Sequence, residues 1–459
     1  MFLDDNEKKK KNYYNHFFLF LIGINFIFFI SFKIFKNDSY LSPYSPKITH
    51  LKIKNGKTSK IGIISDFQLD KNHTFPIFKG FAQNVYKALT FFKKNNIDII
   101  IIVGDTTNNG KIINCVYFKE IFYSVCNNIK KPILISLMGN HDYRDKDFSP
   151  EGNRKKFYKY MNSYPYSHYI INNYNFILWS DDNQNYTDIG IEDYSWIKKT
   201  IENARENIYK KGDPIFVITH MPPLKTVYGS ENIWGHKGIF DFLKNYPEVI
   251  CISGHSHYSL RNTKSIWQGE FTAINTQGLS YVDLDKFYLN YKEVHLDSIK
   301  NDSMGLVAYL NENNVIFDRI EFSTEEVLDE RWKIDFPIDI SNFKYNFEKR
   351  NKKIKPIFTD NNEIRIEKDN NQIFIVFNAG FHEDYVYIYK IILKRKDINK
   401  NDKKVFYYYS DYYKNKKLRK KIIKIKLPDN INKGKYDIEI YAIDSFDNIS
   451  NPKINIIDI

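Results

Sequence analysis

From about Lys60 to about Phe322, short β-branched apolar runs alternate with segments of helical periodicity, and no other feature limits the fold so strongly. The runs occupy residues 61–65, 97–103, 133–138, 176–180, 215–219, 249–253 and 271–275. Runs of four to eight apolar residues bounded by polar turns are the pattern of strands buried on both faces. The intervening segments, such as 77–95 and 191–207, repeat their apolar positions at helical spacing. Such alternation predicts a layered α/β domain. Residues 305–310 and 315–322 flank Asn311-Glu312-Asn313-Asn314 and predict a hairpin that closes it.

Five polar clusters each follow one of these runs. They are Asp66-Phe67-Gln68, Gly104-Asp105 with Gly110, Gly139-Asn140-His141-Asp142, Thr219-His220, and Gly254-His255-Ser256-His257. A single cluster of this kind is an ordinary loop. Together they gather carboxylate, amide and imidazole groups at the C-terminal ends of successive strands, where open α/β sheets hold their ligand crevice. A mixed nitrogen and oxygen donor set of this composition suits Mn, Fe, Zn or a pair of such ions.

The set resembles the calcineurin-like metallophosphoesterase superfamily, whose motifs run D-x-H, GD, GNH-D/E, H and GHxH. The resemblance spans Asp66 to His257 in matching order, and the GNHD and GHSH elements match fully. It implies a four-layer sandwich of two mixed β-sheets flanked by helices, with two divalent metal ions in the crevice. Asp66, Gln68, Asp105 and His257 would hold one ion; Asp105, Asn140, His220 and His255 would hold the other, with Asp105 bridging. The activity implied is hydrolysis of a phosphate monoester or diester, in which a bridging water attacks phosphorus in line. His141 would protonate the leaving oxygen or stabilise its charge, and Asn108 would orient His141. Asn140, His141 and Arg144 would meet the substrate.

Gln68 departs from the pattern, standing where the family usually carries histidine. A glutamine oxygen is harder and weaker than imidazole, so looser binding and a shift toward Mn or Mg are expected there. A degraded site that binds a phosphate ligand without turnover, and a surface nuclease, remain alternative readings. Further site candidates are His73, in the loop after Gln68, and Trp234, Gly235 and His236, in the loop after His220; loop structure is the plainer reading for each. His168, beside Tyr166 and Tyr169, is read as packing or surface.

Residues 17–32 are a nearly unbroken apolar run, and with its flanks the segment 13–35 reaches the roughly 20 residues needed to cross a bilayer. No small-x-small cleavage site follows, and no cysteine lies near its end, so an uncleaved anchor fits better than a signal peptide and a lipoprotein is excluded. Lys8 to Lys11 precede the run against Lys33 and Lys36 after it, which places the N-terminus in the cytoplasm and the catalytic domain outside it. The expected organisation is a cytoplasmic basic N-terminus (1–12), a transmembrane helix (13–35), a linker (36–59), the catalytic domain (60–325), a second linker (326–354) and a C-terminal β-sandwich (355–459). Residues 433–452 resemble the last strands of a fibronectin type III or immunoglobulin-like module.

Hydrophobic residues make up 42% of the chain and charged residues 27%, which argues against global disorder. The net charge of +13 favours anionic partners without choosing among them. Residues 394–426 interleave lysine and arginine with Tyr407, Tyr408, Tyr409, Tyr412 and Tyr413. That pattern serves either an anionic polymer or nucleic acid, or plain strand packing with charged edges. Three cysteines, Cys115, Cys126 and Cys251, provide no disulfide framework and read as core residues.

Overall fold

Isoleucine-rich runs become central strands here because each has two faces to bury. In the computed structural model, Ile61, Ile63, Ile99, Ile101 and Val103 point into one core, while Ile64, Ile100 and Ile102 point into another. That division is the two-residue period of a strand. The structure describes residues 44–459 except 46, 54–57, 71–79, 127–130, 181–187, 209, 232–233, 285–302, 329, 360–363, 371, 397–402 and 430. The expected transmembrane helix at 13–35 lies outside the described residues. Among the described residues no helix is long and apolar enough to cross a membrane.

In chain order the first elements are β1 (Thr49–Leu51), β2 (Ser59–Ile64), α1 (Phe81–Lys94), β3 (Ile99–Val103), α2 (Ile112–Val125), β4 (Ile133–Leu137) and α3 (Pro150–Met161). Then come β5 (Tyr166–Ile171), β6 (Tyr174–Trp179), α4 (Ile191–Glu206), β7 (Ile215–Thr219), α5 (Lys237–Leu243), β8 (Val249–Ser253), β9 (Ile266–Gln268) and β10 (Thr272–Asn275). A hairpin, β11 (Met304–Leu310) and β12 (Asn314–Glu321), is followed by β13 (Glu326–Val327) and β14 (Trp332–Asp335).

The strands form two mixed sheets, one ordered β1-β5-β6-β7-β8-β10-β9 and one ordered β13-β12-β11-β2-β3-β4, with β14 also on β12. One apolar cluster lies between the sheets, a second joins the second sheet to α1, α2 and α3, and a third joins the first sheet to α4 and α5. The layering is therefore helix, sheet, sheet, helix. Cys115, Cys126 and Cys251 are buried and unbridged.

Both expected linkers carry sheet structure. Within 36–59, β1 pairs in parallel with β5, and Tyr44 packs its ring 4.8 Å from that of Tyr166. Within 326–354, β13 and β14 pair with β12, and Trp332 is fully buried between the sheets. These strands are short, two to four residues each, and the apolar–polar alternation of Trp332 to Asp335 is too brief to set it apart from a linker. The partner strand supplies the order.

The C-terminal region holds two antiparallel sheets. Its strands are β15 (Arg365–Asp369), β16 (Gln372–Asn378), β17 (Ile388–Arg395), β18 (Lys403–Tyr409), β19 (Ile422–Lys426), β20 (Lys435–Ile443) and β21 (Lys453–Asp458). They are ordered β15-β16-β19 and β18-β17-β20-β21, and side chains of both sheets share one apolar core. Contacts across 44–459 group this region with the α/β layers as one compact unit.

Candidate metal centre

The parallel strands β2, β3 and β4 in one sheet, and β7, β8 and β10 in the other, deliver their following loops to a common edge. Backbone bonds stitch the loops together. Asp66 donates its N–H to Gly104 O (3.1 Å), Gln68 donates to Asp105 O (2.9 Å), and Gly254 donates to His220 O (3.0 Å). Leu279 and Ser280 donate to Ser65 O and Asp66 O, which ties the loop after β10 to the loop after β2 across the two sheets.

Five of the residues singled out for ligation have left-handed backbone: Asp66 (φ 54°), Gln68 (48°), Asp105 (51°), His255 (68°) and His257 (57°). A side chain in that region costs roughly 1 kcal/mol or more, and such residues gather at functional sites. Here the turn aims successive side chains away from their strands and into one space.

His220 Nε2 lies 3.4 Å from Asp105 Oδ2 and 3.2 Å from Asn140 Oδ1. His255 Nδ1 lies 3.2 Å from His220 Nε2, and Asp105, His220 and His255 present ligand atoms within 4.8 Å of one another. His220 Nε2 also lies 3.9 Å from Asp66 Oδ1, His257 Nε2 is 3.2 Å from Asp66 Oδ1, and Gln68 Nε2 is 3.3 Å from His257 Nε2. Rotating the Gln68 amide by half a turn replaces that nitrogen with its oxygen, a ligand atom. All seven sequence-predicted metal residues therefore converge.

The electrostatics are those of a cation site. Asp66 and Asp105 are buried, which alone would raise their carboxyls, yet the neighbouring imidazoles hold both below the usual range. Burial alone would lower His220, but Asp105 outweighs it and raises the imidazole to about 10. His257 is likewise raised by Asp66 against its burial, whereas burial and then His220 push His255 down to about 3. Two carboxylates thus hold two ring protons where cations would serve. Asp66 Oδ1 is buried and accepts no well-formed hydrogen bond. Cβ atoms on Gly139, Gly104, Gly254 and Gly278 would approach Asp105 Oδ1, His220 Nδ1, Asp66 Oδ2 and His257 Nδ1 to 2.3, 2.4, 2.6 and 2.7 Å, so the cradle accepts no larger residue. His220 Nδ1 donates to Val103 O at 2.8 Å, which turns Nε2 toward the site as a ligating histidine requires. The residues fit a divalent metal site, with Asp105, His220 and His255 as its nearest donors.

His141 borders the cradle without joining it. Its backbone N–H donates to Asp105 Oδ1 (2.8 Å), and its Nδ1 lies 2.9 Å from Asn108 O and 3.2 Å from Asn108 Oδ1. Arg144 also approaches that nitrogen, at 2.8 Å. One nitrogen cannot donate to Asn108 and accept from Arg144. Two oxygens surround it and Arg144 is exposed, so the proton belongs on Nδ1, and Nε2 faces the cradle, 3.4 Å from Gln68 Nε2 and 3.8 Å from Asp105 Oδ2. Burial, aided by Arg144 and opposed by Asp105, holds His141 below the ordinary imidazole range.

Among the other candidates, Trp234 packs edge-on against His255 with ring centroids 5.2 Å apart. His236 is instead the buried cap of α5, accepting from Ile239 N, and Gly235 sits in a turn whose Cβ would meet Ser230 O. His168 is buried on β5 and bonded to Asn175 Oδ1 at 2.9 Å. His73 lies outside the described residues. Of the tyrosines in 394–426, Tyr407, Tyr408, Tyr412 and Tyr413 are buried and Tyr409 is half-buried. Four of the five are thereby withdrawn from stacking on bases.

Sequence reasoning missed two site residues. Asp142 lies within the GNHD element and accepts from Thr106 N, Thr107 N, Thr107 Oγ1 and Gly139 N, locking two loops together. Burial, reinforced by Asp105, raises its carboxyl to about 6. Tyr281 stacks on His257 with centroids 4.2 Å apart. The signal for it was position, in the loop after a predicted strand.

Residues 59–259 match the family model described as calcineurin-like phosphoesterase. No curated protein sequence matches the chain. Among solved structures, a dimetal phosphatase from Danio rerio is similar at 12% identity, with 61% of this chain and 99% of that chain covered and a TM-score of 0.42. GAP50, the anchor in the inner membrane complex of Plasmodium, is similar at 15% identity, over 62% and 93%, with a TM-score of 0.43. A purple acid phosphatase from Lupinus luteus seeds is similar at 15% identity, over 61% and 54%, with a TM-score of 0.43.

Proposed function

We propose, from the premise that residues 59–259 are a calcineurin-like phosphoesterase domain and the chain a metal-dependent phosphoesterase, that it hydrolyses a phosphate ester at a two-metal centre bridged by Asp105. The observation that carries this reading is the convergence of the donor residues around two carboxylates. His220 Nε2 lies 3.4 Å from Asp105 Oδ2 and 3.9 Å from Asp66 Oδ1, which joins His255 and Asn140 to the group of Asp66, His257 and Gln68. Asp105 is assigned the position that two ions would share. A carboxylate with two oxygens suits that shared position. Two divalent ions bound there would offset the charge on phosphate oxygens and make a water nucleophilic at neutral pH.

The chain's own residues supply the rest. Asn140 contributes a neutral amide, so the donor set carries fewer negative charges than the ions carry positive ones and admits an anionic phosphate. His141, with Nδ1–H held by Asn108, turns Nε2 toward the cleft. A proton taken up from solvent at Nε2 gives the imidazolium form, which passes that proton to the leaving oxygen and returns to the neutral ring. Arg144, exposed at the rim, meets a further phosphate oxygen. Mn or Mg is favoured at the Gln68 position for the hardness of its oxygen.

The anchor at 13–35, with the N-terminus cytoplasmic and the active domain outside, rests on the apolar run and the lysines before it. A fibronectin type III-like identity for the C-terminal sheets rests on residues 433–452. Gln68 favours one second reading, a metal site that binds phosphate without turnover. The purified chain, assayed with Mn(II) and p-nitrophenyl phosphate or its bis-ester, separates the two. Turnover that disappears in Asp105→Ala and His255→Ala supports the enzyme. Absence of turnover with every divalent metal supports the binding protein.

A further inference from the structure

The loop from Gly254 to Thr263 carries both His255 and His257, and every residue of it is buried. The metal centre covers only one side. Against the other side stand three loops from one end of the C-terminal sheets: the approach to β17, the β18–β19 connection and the β20–β21 connection. Thr263 N donates to Tyr385 Oη at 3.1 Å, and Thr263 Oγ1 lies 3.1 Å from Ser445 Oγ. Tyr385 stacks on Tyr412 with centroids 4.9 Å apart. Arg261 pairs with Glu321 and Glu326, and Asn415 from the β18–β19 connection donates to both carboxylates, at 3.2 and 2.6 Å.

The residue next to His257 is seated the same way. Tyr258 packs on Tyr228 at 4.7 Å, and the Tyr228 hydroxyl is hydrogen-bonded to that of Tyr387, just before β17. Gly229 leaves no room for movement, since a Cβ there would lie 1.9 Å from the Tyr258 ring. These tyrosines form an apolar cluster of their own, separate from the core of the C-terminal sheets.

We propose that Tyr385 and Tyr387 are positioning residues for the metal centre, and that the C-terminal domain is the outer wall of the His255–His257 loop. The inference rests on the metal-centre reading. The left-handed turns at His255 and His257 persist only while their surroundings hold them, and on this side the surroundings belong to the C-terminal domain. The domain thereby acts on metal retention without touching metal or substrate.

The test uses the full chain and two readouts, amide hydrogen exchange over residues 254–263 and Mn(II) affinity by calorimetry. Tyr385→Phe removes the acceptor for Thr263 N, and Tyr387→Phe removes the bond to Tyr228, while both keep their rings. Each is expected to speed exchange in 254–263 and weaken Mn(II) binding roughly tenfold, as a buried donor or hydroxyl loses its partner. Ile391→Val, in the core of the C-terminal sheets, lowers stability generally and is expected to leave both readouts as in the wild type. Unchanged exchange in the tyrosine variants overturns the proposal, as does an equal change in Ile391→Val. A wild-type chain that binds no Mn(II) overturns the metal-centre reading instead, and the exchange readout still decides the role of the tyrosines.

Discussion

At the scale of single residues, the site combines donor groups that the sequence displays with supports that it hides. Aspartate, histidine and asparagine at strand ends suggest metal chemistry by type, so the residues that converge were legible before any fold was known. Asp142 was equally visible but uninformative, because its work is to accept four hydrogen bonds from loops distant in sequence. Asp142→Ala should destabilise the fold by about 3 kcal/mol, since several buried donors lose their acceptor at once. Denaturant titration checks this, and a loss below about 1 kcal/mol contradicts the role given to it. Gln68→His should retain metal more strongly through dialysis, because imidazole binds borderline ions better than an amide oxygen does. Unchanged metal content would contradict the placement of Gln68 as a ligand.

At the scale of elements, the strands with strong apolar runs were legible and the weak ones were not. β2, β3, β7 and β8 begin and end within about two residues of expectation, as boundaries set by a hydrophobic run do. β5 reads YSHYII, whose polar residues are paid for by partners in β6 and not by any local pattern. Its His168 predicts a pH effect. Burial lowers the imidazole below its ordinary value near 6.5, so its contribution is fully present above that pH and is lost as pH falls through 6.5 toward the depressed folded value. Stability of the wild type should therefore fall between pH 7.5 and 5.5 more than that of His168→Gln, measured by denaturation midpoints. Equal slopes would contradict this. β14 was read as linker, yet Trp332 is buried between the sheets. Trp332→Ala should cost about 3–5 kcal/mol, as large-to-small changes in a core do; a change under about 1 kcal/mol would show the segment to be peripheral.

At the scale of the whole molecule, a layered α/β domain followed from the order of strands and helices, the four-layer sandwich was what the family resemblance implied, and the crevice followed from where polar clusters end the strands. The union of the C-terminal sheets with the catalytic layers did not follow. It depends on tyrosines whose spacing resembles that of any strand, and whose partners lie more than 100 residues away, as Tyr387 does from Tyr228. The most direct test of the account is anomalous X-ray scattering from crystals grown with Mn(II), collected above and below the manganese edge. Two peaks about 3.5–4 Å apart, one on each side of the Asp105 carboxylate, are expected. No peak within reach of Asp105, at manganese concentrations that support turnover, would contradict it.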